Sequence, residues 1–424
     1  MKKLLLLITL FTLYTHHLQS QWVQQTVPVS KPITGIKFLN TQTGWACTSY
    51  GTQQDTGYVL HTTNGGVNWN VQFKKYASSF ECLNMVNATT GYIGGYNFDT
   101  GSVPLIMKTT NAGANWFNLY ANVSSGVTDL FFVNPDSGYS CSQSFINLYT
   151  TTNGGLNWSL RTNGINTNVY RLFFLNYNTG YCGASSNLFK TTNAGVNWFQ
   201  SSSFSGSVRS IYFLNNNTGW LGLSPVGMFA RVAFTVNGGA NWTIQNVGTF
   251  TLNVDDIFFI NNQTGWAGID FPIVYKTTNS GINWGYQVDS SGSHRMSFID
   301  SMNGWSGDTP GRNIISRTTN GGGPIIFTGF ISNSSTIPNR FTLHQNYPNP
   351  FNPVTTIRID VANASYVKLI ILDILGRELH REQQYLRTGS YEFKWNAAEY
   401  SSGTYFYQLI TDKYIETKKM LMIK

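Results

Sequence analysis

Ile211-Tyr-Phe-Leu-Asn-Asn-Asn-Thr-Gly-Trp220, followed by Thr235-Val-Asn-Gly-Gly-Ala-Asn-Trp242, decides the fold. The first stretch reads as an alternating apolar strand, an Asn-rich turn, a glycine and an aromatic. That pattern predicts a β-hairpin whose glycine takes positive φ in the turn. Six further copies end at Trp45, Tyr92, Tyr139, Tyr181, Trp266 and Trp305, spaced 39 to 47 residues apart. The second stretch recurs from Thr62, Thr109, Thr151, Thr191 and Thr277, and each copy ends on a Trp. A seventh, from Thr318, runs into Gly323-Pro324 and lacks its Asn-Trp. Gln21-Trp22-Val23-Gln24-Gln25 resembles the segments after the other turns, so the missing strand is expected from the N-terminus.

Internal repeats of this period mark solenoids or propellers. The expected fold is all-β: a seven-bladed β-propeller over residues 21–328, closed by the N-terminal strand. Closure of that kind removes the free sheet edge. Composition agrees, with 15% aromatic and only 11% charged residues in 424 and 41 glycines. Helical bundles need more Lys and Glu, and disordered chains do not carry so many aromatics.

The net charge of +8 divides evenly: +2 in residues 1–20, +3 in 21–328 and +3 in 329–424. No basic stripe gathers, so nucleic-acid binding is not expected. Lys2 and Lys3 precede an apolar run from Leu4 to Leu13, too short to span a bilayer. Residues 1–20 therefore read as a signal peptide cleaved after Ser20, and an integral membrane protein is not expected.

After a linker at 329–340, residues 341–424 open with Pro348, Pro350 and Pro353 within six positions, an entry no helix accepts. Alternating segments at Thr356–Val361, Val367–Asp373, Ser390–Trp395, Gly403–Ile410 and Ile415–Ile423 come next. They predict a small antiparallel β-sandwich.

Two resemblances attach to these residues. Thr-Thr-Asn-Gly-Gly-x-Asn-Trp resembles the Asp-box turn of BNR and sialidase-type propellers. The whole repeat is similar to photosystem II assembly factors and their bacterial relatives. One departure is consistent: Asn64, Asn111, Asn153, Asn193, Asn237, Asn279 and Asn320 stand where the box has Asp. An Asn carbonyl still accepts turn N–H bonds, so a folding role survives, whereas calcium binding is weakened. The second resemblance is to the C-terminal sorting domain of type IX secretion cargo. It rests on Gln345–Ile357, Leu372–Leu379, Ser401–Leu409 and Lys418–Lys424. It implies a Bacteroidetes-type envelope and delivery across the outer membrane to the cell surface or beyond. The implied partners are the type IX outer-membrane translocon and its sorting protease. The residues matching that signal are Asn346, Tyr347, Pro348, Asn349, Pro350, Phe351, Asn352, Pro353, Gly376, Gly403, Lys418 and Lys419.

Catalytic parts are sparse. Residues 21–328 hold one Glu, Glu81, and ten Asp. Asp136 and Asp300 read as turn formers, Asp255 and Asp256 abut a strand start, and Asp99, Asp270, Asp289 and Asp308 fall in loops. His61, His294, His344 and His380 are scattered, so no triad, metal site or cofactor is expected. Cys47, Cys141 and Cys182 recur after the hairpin glycine, reading as buried thiols, with a Cys47–Cys82 pairing left open. All twelve Trp have structural posts. The expected ligand face is Glu81, Tyr96, Phe98 and Arg231, near the repeat departures at Tyr96–Val103 and Pro225–Arg231. The expected role is a non-catalytic scaffold for an extracellular protein or glycan. The alternative is a glycoside hydrolase of sialidase or xyloglucanase type, which needs two carboxylates at one mouth of the channel.

Overall fold

The computed structural model describes residues 22–424 apart from 50–54, 100, 102, 120–121, 143–146, 228, 249–251, 270, 290, 293–294, 308–312, 326–330, 335–337 and 387. The expected signal peptide, Asp270, His294 and Asp308 lie outside the described residues. The chain divides into two compact units, Met1–Ile325 and Ile326–Lys424. Among the described residues no helix is long and apolar enough to cross a membrane.

The first unit is a propeller of seven four-stranded antiparallel sheets. Six are built from consecutive strands. In the seventh, Val23–Gln25 pairs with Ile315–Thr318 in the register Val23–Arg317, Gln24–Ser316 and Gln25–Ile315. First strands of successive sheets pack on one another, and Ile33–Phe38 of the first also packs on Arg295–Phe298 of the last. These first strands are therefore innermost.

One aromatic joint repeats around the ring. The Phe ending an inner strand stacks on the aromatic that follows the glycine in the preceding blade. Tyr92–Phe132, Tyr139–Phe174, Tyr181–Phe213, Trp220–Phe259 and Trp266–Phe298 have centroids 3.5 to 3.9 Å apart. An outer-strand Trp meets the same Phe edge-on, as Trp158 meets Phe132 at 6.0 Å. Trp22 does this for Phe298, so the N-terminal segment supplies an indole as well as a strand.

The hairpin glycines correct an expectation. Gly44, Gly138, Gly180, Gly219, Gly265 and Gly304 are not at positive φ; they begin the second strands. A Cβ at Gly138 would lie 2.5 Å from the Phe132 ring, and the other five meet their own Phe equally closely. The residue is glycine because the ring lies across it. The turn itself is held by Asn: Asn215 Oδ1 accepts from Asn217 N and Thr218 N, each at 2.9 Å.

The second turn behaves as the Asn reading requires. Thr62 Oγ1 donates to Asn64 Oδ1 at 3.0 Å and accepts from Gly66 N at 2.9 Å, while Asn68 N donates to Asn64 Oδ1 at 2.9 Å. The same set recurs at Asn111, Asn153, Asn193, Asn237 and Asn279. Cations from the third strands also serve the frame. Lys108, Lys190 and Lys276 lie over Tyr92, Tyr181 and Trp266 and donate to the carbonyls of Gly154, Gly238 and Gly321.

The second unit is a sandwich of two four-stranded sheets. The stretch read as linker contributes a strand, Ile331–Ser334, paired with Ser390–Glu392. Glu378–Leu386, too polar to show alternation, adds another beside Ser365–Leu372. Ile357, Ile359, Val367, Leu369, Phe393, Tyr407 and Leu409 fill the core.

Candidate functional site

Five inner strands carry a β-bulge near their start, at Thr34, Glu81, Tyr170, Arg209 and Asp255. A bulge adds one unpaired residue and re-aims its side chain. Glu81, Arg209 and Asp255 are bulge residues, Arg171 and Asp256 each follow one, and Asp129 and Arg295 open inner strands whose pairing has no bulge. Asp255 is buried and the rest of this polar cluster is half-buried.

Hydrogen bonds run across blade boundaries here. Arg171 Nε donates to Arg209 O at 2.9 Å, and Arg209 Nη2 meets Asp255 Oδ1 at 2.8 Å. Arg295 Nε donates to Thr34 O at 3.0 Å and Nη1 to Asp255 O at 3.3 Å. The last link joins the seventh blade to the first and the sixth. Two carboxylates act as clips between adjacent blades: Asp129 accepts from Leu130 N and Leu172 N, Asp256 from Ile257 N and Met296 N.

Electrostatics in this cluster is dominated by lost hydration. Burial raises the Asp256 carboxyl to about 6 despite Arg295 and its two N–H donors. Burial likewise raises Asp129 against the pull of Arg171. The Arg295 guanidinium is lowered by burial and then by Arg171, with Asp256, Asp255 and Asp129 opposing. Desolvation and like charge thus outweigh pairing at this point.

Among the residues expected at a ligand face, Glu81, Tyr96 and Phe98 come together in the second blade. Ser49 and Ser79 hydroxyls both donate to Glu81 Oε1, at 2.8 and 2.6 Å. Ser79 pairs across the ladder with Tyr96, whose ring lies parallel to Phe98 at 6.1 Å. Arg231 departs from the expectation: it is buried, and its guanidinium donates to the carbonyls of Ser224 and Ser205. It braces the hairpin between Gly219–Val226 and Phe229–Thr235. Asp255 and Asp256, read as abutting a strand start, belong to this cluster. Arg171, Arg209, Arg295 and Asp129 escaped sequence reading. The signal was a polar residue three or four places before the repeat's Phe or Met, visible only once the repeats are superposed.

The four cysteines are buried and unpaired, so no Cys47–Cys82 disulfide forms. Burial pushes the Cys47 thiol up to about 12.

In the second unit the proline-rich entry holds the last strand. Asn346 is buried; its backbone N–H donates to Tyr407 OH at 2.8 Å and its Nδ2 to Thr355 Oγ1 at 2.9 Å. Pro348 lends its carbonyl to Asn346 and Thr355, and Pro353 lends its own to Ala397 N. Phe351 N donates to Leu421 O, Ile423 N to Phe351 O, and Asn349 Oδ1 accepts from Leu421 N. Tyr347, Pro350 and Asn352 face solvent, as does Lys419, while Lys418 pairs with Glu416 at 3.2 Å. Gly376 turns at φ +79° and Gly403 opens a strand.

Three solved structures share the propeller fold. YCF48 bound to D1 peptide is 15% identical with a TM-score of 0.57, covering 71% of this chain and 97% of that one. YCF48 from Cyanidioschyzon merolae is 15% identical with a TM-score of 0.51, covering 70% and 98%. The GH74 xyloglucanase from Xanthomonas campestris is 11% identical with a TM-score of 0.56, covering 80% of this chain and 59% of its own. No curated protein matches the chain. Residues 345–424 match the family described as the secretion system C-terminal sorting domain. The C-terminal unit therefore carries a type IX sorting domain, which directs export to the cell surface or extracellular space.

Proposed function

We propose that the propeller is a non-catalytic scaffold that binds a protein partner outside the outer membrane, after handling by the type IX translocon and its sorting protease. The observation carrying this reading is how Asp129, Asp255 and Asp256 are engaged, which leaves Glu81 as the one carboxylate of the cluster with a free oxygen among the described residues. Asp129 and Asp256 each hold two backbone N–H groups, and Asp255 holds Arg209. Such a frame of fixed charges suits recognition, since a hydrolase needs one carboxylate free to give up a proton and another free to attack or activate water. The D1 peptide bound to YCF48 supports a protein ligand by analogy of fold.

A glycoside hydrolase is the competing reading, and one observation favours it. A carboxyl at about 6 falls in the range of a general acid. The full secreted chain, offered polysaccharides, sialylated glycans and surface proteins, separates the two. The scaffold reading expects retained protein and no released sugar. Sugar release abolished by Asp256→Asn would replace it with the hydrolase.

A further inference from the structure

We propose that Glu81, Tyr96 and Phe98 form a subsite for a basic side chain, a lysine or arginine presented by the protein partner. The inference rests on the scaffold reading and names what one part of that surface takes.

The carboxylate is held in place and remains available. Glu81 is the bulge residue, so its side chain leaves the ladder's alternation. Both serine hydroxyls meet the same oxygen, Oε1; among the described residues Oε2 has no hydrogen-bond partner. Two donors on one oxygen fix the direction of the carboxylate.

The rings beside it are fixed as well. Tyr96 and Phe98 alternate on one face of Gly91–Asn97 and its continuation, parallel within 5°. A Cβ at Gly126 would fall 1.9 Å from the Tyr96 ring, so the backbone at Gly126 packs directly beneath it. The hydroxyl of Tyr96 has no hydrogen-bond partner among the described residues, and both rings are half-buried. Ser79, whose hydroxyl donates to Glu81, pairs across the ladder with Tyr96, which places the carboxylate and the ring in one neighbourhood.

A carboxylate next to aromatic faces offers an ion pair and cation–π attraction to the same cation. A sugar would stack on a broad face, and the twelve indoles, the usual broad faces, all have structural posts. The chain's net charge of +8 disfavours general attraction of cations, so capture of a cation has to be local.

The test is calorimetry of the full secreted chain with tetralysine, tetraglutamate and cellotetraose at low salt. Tetralysine is expected to bind alone. Its affinity falls at least tenfold in Glu81→Gln and in Tyr96→Ala, and Tyr96→Phe, which keeps the ring, retains most of it. Far-ultraviolet circular dichroism confirms that each variant is folded. Absence of tetralysine binding, or undiminished binding in folded Glu81→Gln, overturns the proposal. So does cellotetraose binding that these variants remove. If a surface protein is still retained in those cases, the subsite fails and the scaffold reading stands.

Discussion

Trp305 lies face to face with Phe38, ring centroids 3.5 Å apart and planes within 6°, joining the last blade to the first. The same indole donates Nε1–H to Gly65 O at 2.9 Å, reaching the first blade's outer turn. One side chain thus joins the ends of the ring at two depths.

Removing that joint should be costly. Trp305→Ala deletes a fully buried indole, its stack and its hydrogen bond, with an expected loss of about 3–5 kcal/mol. Among the described residues Trp45 stacks on no Phe, its neighbouring inner strand ending in Met85, so Met85→Phe is the complementary probe. Urea unfolding of both variants checks the assignment; a Trp305→Ala loss below about 1 kcal/mol would sink it.

Gly138→Ala separates two explanations of the hairpin glycine. Where backbone freedom is the only issue and φ is ordinary, Gly→Ala stabilises by about 0.4–1 kcal/mol. Here the added methyl meets the Phe132 ring at 2.5 Å, so overpacking dominates and a loss of about 1–3 kcal/mol is expected. A rise in melting temperature would show that the ring is not the constraint.

Much of this architecture was legible in the sequence because each blade repeats the same physical demands. Seven aromatic-ended hairpins and the orphan strand at Trp22 required no knowledge of the third dimension. The reason for the glycine was not legible, since a turn residue and a ring-facing residue look alike in one copy. The polar cluster was harder still. Arg171, Arg209 and Arg295 are single residues in repeats that otherwise vary at those places, and only the topology brings them together. Glu378–Leu386 was missed because a charged edge strand shows no alternation.

The Asp256 carboxyl makes a signed prediction about pH. Its pKa in the fold is about 6, above the unfolded value, so the folded state binds the proton more tightly. This group's contribution to stability should therefore rise as pH falls from 7 through 6 towards the unfolded pKa. Arg295 and Arg171 face it. Asp300, Asp360 and Asp373 are lowered and titrate in the opposite sense below it. The difference in melting temperature between the natural chain and Asp256→Asn, measured at pH 7 and pH 5, isolates the term. A difference independent of pH would contradict the assignment.

The turn hydroxyls should matter individually. Thr191→Val removes the acceptor of Gly195 N and the donor to Asn193, for an expected loss of about 1–2 kcal/mol. Asn193→Asp keeps the oxygen that accepts Asn197 N and should be nearly neutral. Chemical denaturation of the pair reads both; equal losses would mean that the amide nitrogen carries a role.

For the sorting unit, Asn346→Ala takes the Nδ2 donor from Thr355 Oγ1 and leaves the Pro348 carbonyl with Thr355 alone, at about 1–3 kcal/mol. Tyr347→Ala, at an exposed position, should leave stability unchanged. Deleting Phe341–Lys424 should hold the propeller in the periplasm, read by cell fractionation. Normal surface delivery of that truncation would refute the sorting assignment.

Affinity mass spectrometry of the full secreted chain against surface proteins and glycans tests the central claim most directly. It follows retained ligand and released sugar together, beside an Arg171→Gln/Arg209→Gln/Arg295→Gln variant verified as folded. The account predicts a retained protein lost in the variant, with no sugar released by either chain. Sugar released by the natural chain would contradict it.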